Sequence, residues 1–131
     1  MNHLPIPDDI ERIAKICINS AFKVHSELGP GLLESVYETC LNYEIKKSGL
    51  KVERQVVLPI VYDNRKLDDG LRLDLFVEKR LVIELKAVES LLPVHTAQVM
   101  TYLKLTQNRL GLLMNFNVPL IKNGIKRVVI D

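Results

Sequence analysis

The sequence is poor in cysteine and in aromatic residues. Among 131 residues, two are cysteine, none is tryptophan and 5% are aromatic. Cys17 and Cys40 lie far apart among apolar residues and form no CxxC or Cys/His pattern, so we expect reduced, buried thiols and no zinc site. The small number of aromatic side chains argues against a stacking surface for single-stranded RNA, because such surfaces depend on aromatic rings.

Long apolar runs and a strong net charge are also missing. No stretch approaches the roughly 20 apolar residues that a membrane helix needs, and residues 1–9 lack the basic start and apolar segment of a secretory signal. The net charge of +2 is not that of a protein that coats DNA. The composition predicts one soluble, cytoplasmic domain over residues 1–131 without membrane association, in which an N-terminal helix (1–30) packs on the core.

What the sequence does contain is a run of alternating apolar and polar residues, Leu71–Lys86, that is typical of two β-strands joined by a polar turn. If this turn is centred on Lys79, the register places Asp74 directly opposite Glu84. Opposed residues on neighbouring strands have Cβ atoms about 5 Å apart, and like charges at that distance destabilise a sheet. The opposed acids therefore need an explanation.

A divalent cation such as Mg²⁺ between the two acids would provide one, because hard cations take oxygen ligands. Lys86 lies two residues beyond Glu84 on the same face, roughly 6–7 Å along the strand. Its ammonium could meet a phosphate or hold a water there, and Arg72 lies opposite it in the same register. The alternative is that Asp74, Glu84 and Lys86 form the solvent-facing side of an antiparallel sheet.

Apolar spacing and turn residues predict the remaining elements. The predicted helices run from a cap at Asp8 or Asp9 to Leu28, from about Leu32 to Ser48 with an apolar stripe (Leu33, Val36, Tyr37, Cys40, Leu41), and from about Val94 to Thr106. The predicted strands cover Lys51–Tyr62, with an edge or bulge at Pro59, then a brief pairing at Lys66-Leu67, Arg109–Asn115 and Lys126–Ile130. Asp68-Asp69-Gly70 is typical of a turn and not of a metal site. Because a helix separates them, the Arg109–Asn115 strand should run parallel to the end of the hairpin.

The second predicted helix begins with a motif of small, acidic and aromatic residues. Glu34 lies in the first turn, where the helix dipole alone would favour a carboxylate. Tyr37 shares a face with Glu34, and we expect its ring to be packed and its hydroxyl bonded to a polar neighbour. Gly31 would permit the tight entry to the helix.

The third predicted helix carries an unusual polar face. His95, Gln98 and Tyr102 recur at intervals of three and four residues, so they lie on one side. One explanation is a rim with satisfied hydrogen bonds. The other is a face directed into a cleft, where Gln98 and Tyr102 would touch phosphate or hold a catalytic lysine.

Three motifs together resemble a known family. Asp74 followed by Glu84-Leu85-Lys86 resembles the PD-(D/E)xK signature, Gly31…Glu34…Tyr37 is a complete GxxExxY motif, and Gln98…Tyr102 resembles the QxxxY motif of RecB-like nucleases. The combination, over roughly His25 to Asp131, resembles the GxxExxY family of the PD-(D/E)xK nuclease superfamily. One departure is Leu73, which precedes Asp74 where the signature has proline. A cation needs only the carboxylate, so the departure costs little.

The resemblance implies a mixed α/β fold with a restriction-endonuclease-like αβββαβ core, in which helices flank a central mixed sheet. It implies Mg²⁺ (or Mn²⁺) bound by Asp74, Glu84, the backbone carbonyl of Leu85 and Glu34. The catalytic set would be Asp74, Glu84, Lys86, Glu34 and Gln98. Residues that would contact substrate or support the site are Gly31, Tyr37, Arg72, His95 and Tyr102.

We therefore predict a Mg²⁺-dependent nuclease that hydrolyses DNA in repair, recombination or defence. Candidate phosphate-binding cations are Lys46, Lys47, Lys51, Arg54, Arg72, Lys104 and Arg109. The alternative from another class is a catalytically inactive binding or assembly module of the same fold, and RNA is a weaker candidate substrate than DNA. The small size of the chain favours a homodimer or a partner protein.

Overall fold

The computed structural model describes residues 3–67 and 70–131. Within them lie three α-helices, α1 (Asp8–Leu28), α2 (Glu34–Lys47) and α3 (Pro93–Thr106). The strands are β1 (Val52–Val57), β2 (Ile60–Tyr62), β3 (Arg65–Leu67), β4 (Arg72–Val77), β5 (Leu81–Lys86), β6 (Leu110–Asn115) and β7 (Ile125–Val129), with a short 3-10 helix at Ile121–Asn123. The turn predicted at Asp68 and Asp69 lies outside the described residues.

Five strands form one mixed sheet in the order β1-β4-β5-β6-β7. The pairs β1–β4, β4–β5 and β6–β7 are antiparallel, whereas β5 and β6 are parallel, as expected for two strands joined through a helix. The chain order α2-β1-β4-β5-α3-β6 and the flanking helices confirm the predicted restriction-endonuclease-like arrangement. The β2–β3 hairpin, which includes the predicted Lys66-Leu67 pairing, is inserted between β1 and β4.

Helices α1 and α2 cover one face of the sheet. Most of the apolar residues that recur at helical spacing in α1 are buried, but Leu28, at the end of the helix, is 37% exposed. The buried residues pack with Tyr37, Leu41 and Ile45 of α2 against the leucines and isoleucine of the central strands. Burial of one such side chain stabilises the fold by roughly 1.5–3 kcal/mol, so this layer holds α2 firmly on the sheet.

Helix α3 covers the opposite face. Its Val99, Tyr102 and Leu103 belong to a second buried cluster with apolar residues of β4, β5, β6 and β7. A Cβ atom at Gly111 on β6 would lie 2.6 Å from the side chain of Val99. Glycine therefore lets α3 approach the sheet closely, which brings the polar residues of α3 near the ends of the central strands.

Both cysteines are free thiols, as predicted. Cys17 is fully buried in the α1 layer, and burial raises the pKa of its thiol to about 12. Cys40 is only partly buried, so the prediction of a buried thiol is wrong for this residue. A thiol with a pKa this high carries almost no thiolate at neutral pH, so Cys17 is a packing residue.

The predicted N-cap of α1 at Asp8 or Asp9 is wrong. Pro7 occupies the cap position, and its carbonyl accepts hydrogen bonds from the N–H groups of Ile10 and Glu11, both at 3.1 Å. The two aspartates lie instead in the first turn, where their charges favour the helix through its dipole.

The predicted apolar stripe of α2 is wrong in part. Leu33 and Val36 are 75% and 38% exposed. The helix begins at Glu34 and not at Leu32, and the face that it packs on the sheet carries Tyr37 and Glu38. Glu38 is buried in this face, and the hydrophobic pattern of the helix does not predict the burial of a charged residue.

The single strand predicted over Lys51–Tyr62 is two strands, separated at Leu58 and Pro59. Pro59 has no N–H to donate, and the N–H of Leu58 donates to the carbonyl of Leu71 at 2.8 Å. The expectation of an edge strand is correct, because β1 is the first strand of the sheet. In the described part of the chain, no helix is both long enough and apolar enough to span a bilayer.

Candidate active site

The β4–β5 hairpin has the predicted register. Leu75 pairs with Ile83 and Val77 with Leu81, so the turn is centred on Lys79. Glu78 and Lys79 both have a φ of 53°, and Arg80 N–H donates to the carbonyl of Val77 at 2.9 Å. This register places Asp74 next to Glu84.

Beyond the Leu75–Ile83 pair, carboxylate oxygens replace backbone carbonyls as the hydrogen-bond acceptors between β4 and β5. The backbone N–H of Leu85 donates to Asp74 Oδ2 at 2.8 Å, and the backbone N–H of Asp74 donates to Glu84 Oε1 at 3.3 Å. Asp74 is 9% and Glu84 3% exposed. The two strands therefore separate at the acids, and both carboxylates lie inside the gap and not on a solvent-facing surface.

Burial and mutual repulsion dominate the electrostatics of this pair. Desolvation, followed by the charge of Asp74, raises the pKa of Glu84 to about 8, whereas the ammonium of Lys86 opposes the shift. At neutral pH without a bound cation, Glu84 therefore carries a proton for much of the time. The pair is arranged to receive positive charge.

Lys86 supplies one positive charge beside the acids. Its Nζ lies 3.5 Å from Glu84 Oε2 and donates to Gln98 Oε1 at 3.2 Å. The side chain of Lys86 is 16% exposed, so the ammonium is largely shielded from solvent. Gln98 lies on α3, and this contact is the one that the polar face of that helix predicts.

The other polar residues of α3 have separate roles. Tyr102 is buried, and its hydroxyl donates to the backbone carbonyl of Arg72 at 3.2 Å. Burial, then the charges of Glu84 and Asp74, raises the pKa of Tyr102 to about 12, so it stays a hydrogen-bond donor. His95 Nδ1 accepts from the N–H of Leu92 at 3.0 Å, which stabilises the start of α3.

A shallow cavity lies beside the start of α3. Lys86, His95 and Gln98 line it together with Leu71, Val94, Ala97 and Thr101. His95 thus lies at the rim of the site and not in contact with the acids. The side chain of Arg72 is exposed, and only its backbone carbonyl takes part in the contacts of this region.

Glu34 reaches the site from the first turn of α2. Desolvation, followed by the charge of Asp74, raises the pKa of Glu34, whereas Lys86 and a hydrogen bond from the backbone of Ala87 lower it. Gly31, with a φ of 98°, makes the turn before this helix. A Cβ atom at Gly31 would meet open space, so the backbone conformation and not crowding calls for glycine.

Tyr37 fixes the turn that carries Glu34. Its buried hydroxyl donates to the carbonyl of Gly29 at 2.6 Å and accepts from the N–H of Leu32 at 3.1 Å. Its ring stacks on Phe116 with centroids 4.7 Å apart. The packing role expected for Tyr37 is the one that the structure shows.

Two polar residues near the site, Gln55 and Asn115, were not singled out in the sequence. Gln55 donates to Asp74 Oδ1 at 3.1 Å and also bonds the buried Glu38. Asn115, at the end of β6 opposite Lys86, accepts from the N–H of Val88 at 3.1 Å and so orders the segment after β5. No local pattern marks either residue, although a polar side chain that ends an apolar strand is the signal that could have indicated Asn115.

Arg109 does not belong to this region, although it was a candidate phosphate-binding cation. Its guanidinium donates to the carbonyls of Leu4, Pro5 and Ile130 and to the carboxylate of Asp131. Arg109 therefore ties the two ends of the described chain together.

The donor chemistry of the acid pair suits a divalent cation. Both side chains present carboxylate oxygens, and their repulsion is what a cation would relieve. Among residues 3–67 and 70–131, however, no three His, Cys, Asp or Glu side chains form a group that could hold a metal ion. Glu34 is thus within electrostatic range of Asp74 without completing a ready-made cluster.

The fold is a mixed sheet flanked by helices. Its candidate site is an acid pair and a lysine at the point where two antiparallel strands separate. Together these features define the class of protein. The chain matches the sequence model of the PD-(D/E)XK nuclease superfamily over residues 11–128, and it belongs to that superfamily. No curated protein and no solved structure showed significant similarity to the chain.

The turn before α2 can be tested with Tyr37→Phe. The change leaves the carbonyl of Gly29 and the N–H of Leu32 without their partner, so we expect a loss of about 1–3 kcal/mol in the free energy of unfolding, measured with urea. Tyr43→Phe on the same helix is the matched control, because Tyr43 is 63% exposed, and it should change stability by less than about 0.5 kcal/mol. Equal effects of the two changes would contradict the role of Tyr37.

The raised pKa of Glu84 predicts a pH-dependent stability. A carboxyl whose pKa rises from 4.5 in the unfolded chain to about 8 in the folded protein stabilises the fold below pH 4.5, and this contribution is lost as the pH rises through 8. Glu84→Gln removes the titration. In a chelating buffer, the wild type should lose stability relative to Glu84→Gln between pH 5 and pH 8, by on the order of 2 kcal/mol in urea unfolding. The exposed Glu53→Gln is the control, and curves for wild type and Glu84→Gln that stay parallel would refute the assignment.

Proposed function

We propose that this protein is a GxxExxY-type nuclease that requires Mg²⁺ or Mn²⁺ and hydrolyses phosphodiester bonds in DNA. The observation that carries the proposal is the buried pair Asp74 and Glu84, with the ammonium of Lys86 held beside it by Gln98. Membership of the PD-(D/E)XK nuclease superfamily supports nuclease activity. DNA repair, recombination or defence is the biological setting that we propose, in the cytoplasm.

In this proposal Asp74, Glu84 and the backbone carbonyl of Leu85 would hold the cation, with Glu34 as a further ligand. The cation, when bound, would polarise the phosphate and make a coordinated water acidic. The ammonium of Lys86 would lie against the charge that develops on the phosphate, and Gln98 would keep that ammonium in place. With the cation bound, the carboxyl of Glu84 would be ionised and could also orient the attacking water.

Residues around the site would support these groups. Tyr37 and Gly31 shape the turn that presents Glu34, and Tyr102 fixes the backbone at Arg72, two residues before Asp74. The exposed side chain of Arg72, with His95 at the rim, would meet the phosphate backbone of the substrate.

A catalytically inactive binding or assembly module is the second candidate function. It is favoured by the lack of a three-ligand metal group among the described residues and by a glutamate that holds a proton near neutral pH. The two functions differ in whether the protein binds a divalent cation at all.

Cleavage assays test the nuclease directly. With Mg²⁺ or Mn²⁺, the wild type should cleave plasmid, single-stranded or branched DNA, and Asp74→Ala and Lys86→Ala should each lower the rate by at least about 100-fold. Lys15→Ala, on the exposed side of α1, is a control for loss of one positive charge and should retain the rate. Unchanged activity in both site variants would refute the catalytic assignment.

Calorimetric titration with Mn²⁺ separates the nuclease from the inactive module. The wild type should bind the ion, and Asp74→Asn should not. Because the ion competes with the proton on Glu84, the affinity should rise from pH 6 to pH 8, and binding should release up to one proton. A wild type that binds no Mn²⁺ at pH 8 would favour the module.

A further inference from the structure

We propose that Gln55 positions Asp74, by donating one side-chain amide hydrogen to Asp74 and the other to Glu38. The inference deepens the proposed nuclease site and rests on it for the role of Asp74 as a cation ligand. The contacts themselves stand independently of that role.

The backbone places Gln55 beside the acid pair. In the β1–β4 ladder, Arg54 pairs with Leu75 and Val56 with Leu73, so the register sets Gln55 opposite Asp74. Gln55 itself makes no ladder pair and has a φ of 51°, a left-handed conformation that residues with a Cβ atom rarely adopt. A strand residue held in this conformation requires contacts that compensate for it.

The side chain supplies those contacts. Gln55 Nε2 donates to Asp74 Oδ1 at 3.1 Å and to Glu38 Oε1. The other oxygen of Asp74 accepts from the N–H of Leu85. Both oxygens of Asp74 are therefore bonded, one by β1 and one by β5, which fixes the orientation of the carboxylate.

Glu38 anchors the glutamine from the other side. It is 8% exposed, and its Oε2 accepts from Arg54 Nε at 3.2 Å and Nη2 at 3.0 Å. Arg54 also donates to Thr39 Oγ1 at 3.0 Å. Two adjacent residues of β1 are therefore hydrogen-bonded to two adjacent residues of α2. The positive charge of Arg54 thus offsets the negative charge of Glu38. The hydrogen bond to Glu38 links Gln55 to α2.

The amide group is chemically suited to this place. The carboxylates of Asp74 and Glu38 share the side-chain nitrogen of Gln55 as a donor, and without this nitrogen they would repel each other. An amide NH₂ donates to both without carrying a charge that would compete with a cation at Asp74. A glutamate of the same length would instead add a third negative charge.

Hydrogen exchange of the Leu85 amide in the cation-free full chain tests the proposal. Gln55→Asn keeps the amide and tolerates a left-handed backbone, but it is one methylene too short to reach both acids. Gln55→Glu keeps the length and loses the donors. Both changes should free Asp74 and accelerate exchange at Leu85 by at least about 10-fold, whereas the other strand amides keep their wild-type rates.

Glu53→Gln on the same strand is the matched control, because it is exposed and has no contact with Asp74, and it should leave Leu85 unchanged. Unchanged exchange at Leu85 in both Gln55 variants would overturn the proposal. So would an acceleration shared equally by all strand amides, which would indicate a general loss of stability. Since no cation or DNA is present, failure of the nuclease assignment leaves this measurement decisive for Gln55.

Discussion

The repulsion between two buried carboxylates is the constraint around which this molecule is built. Asp74 and Glu84 lie together where β4 and β5 part, and neither is more than 9% exposed. Charges of the same sign in such a place are unfavourable unless each oxygen has a partner. The partners are two backbone N–H groups and the ammonium of Lys86, with the amide of Gln55 as a further donor.

The two helical layers add further polar side chains from opposite sides of the sheet. Helix α2, held on the sheet by its buried apolar residues, brings Glu34 and Glu38. Helix α3, which lies close to the sheet because β6 has Gly111, brings Gln98 to Lys86. Within the β4–β5 hairpin, the strands separate far enough for carboxylate oxygens to replace backbone carbonyls as hydrogen-bond acceptors. Helices and strands of the folded sheet therefore fix the positions of these groups.

The GxxExxY motif divides into structural and chemical residues. Tyr37 and Gly31 shape and fix the turn before α2, through hydrogen bonds of the hydroxyl and a backbone that only glycine readily adopts. Glu34 is the residue of the motif whose carboxyl interacts electrostatically with Asp74 and Lys86. Two residues of this motif therefore position the third, which is the acid.

Much of the arrangement follows from the sequence, because it depends on neighbours along the chain. The turn at Lys79 and the alternation of the strands set the hairpin register and so bring Asp74 to Glu84. The helical spacing of α3 sets Gln98 on the side that reaches Lys86. The missing N–H group of Pro59 indicated an irregular strand there, but not its division into two strands.

The tertiary structure decided what depends on partners distant in sequence. The polar link from Glu38 through Gln55 to Asp74 joins α2, β1 and β4, and the burial of Glu38 contradicts the apolar pattern of its helix. Arg109 has no local feature that distinguishes it from the other basic residues. Only the folded chain shows that it binds residues near both ends of the described chain, Pro5 and Asp131. Periodicity records which side of an element is buried, but the partner of a polar side chain is fixed only when separate elements come together.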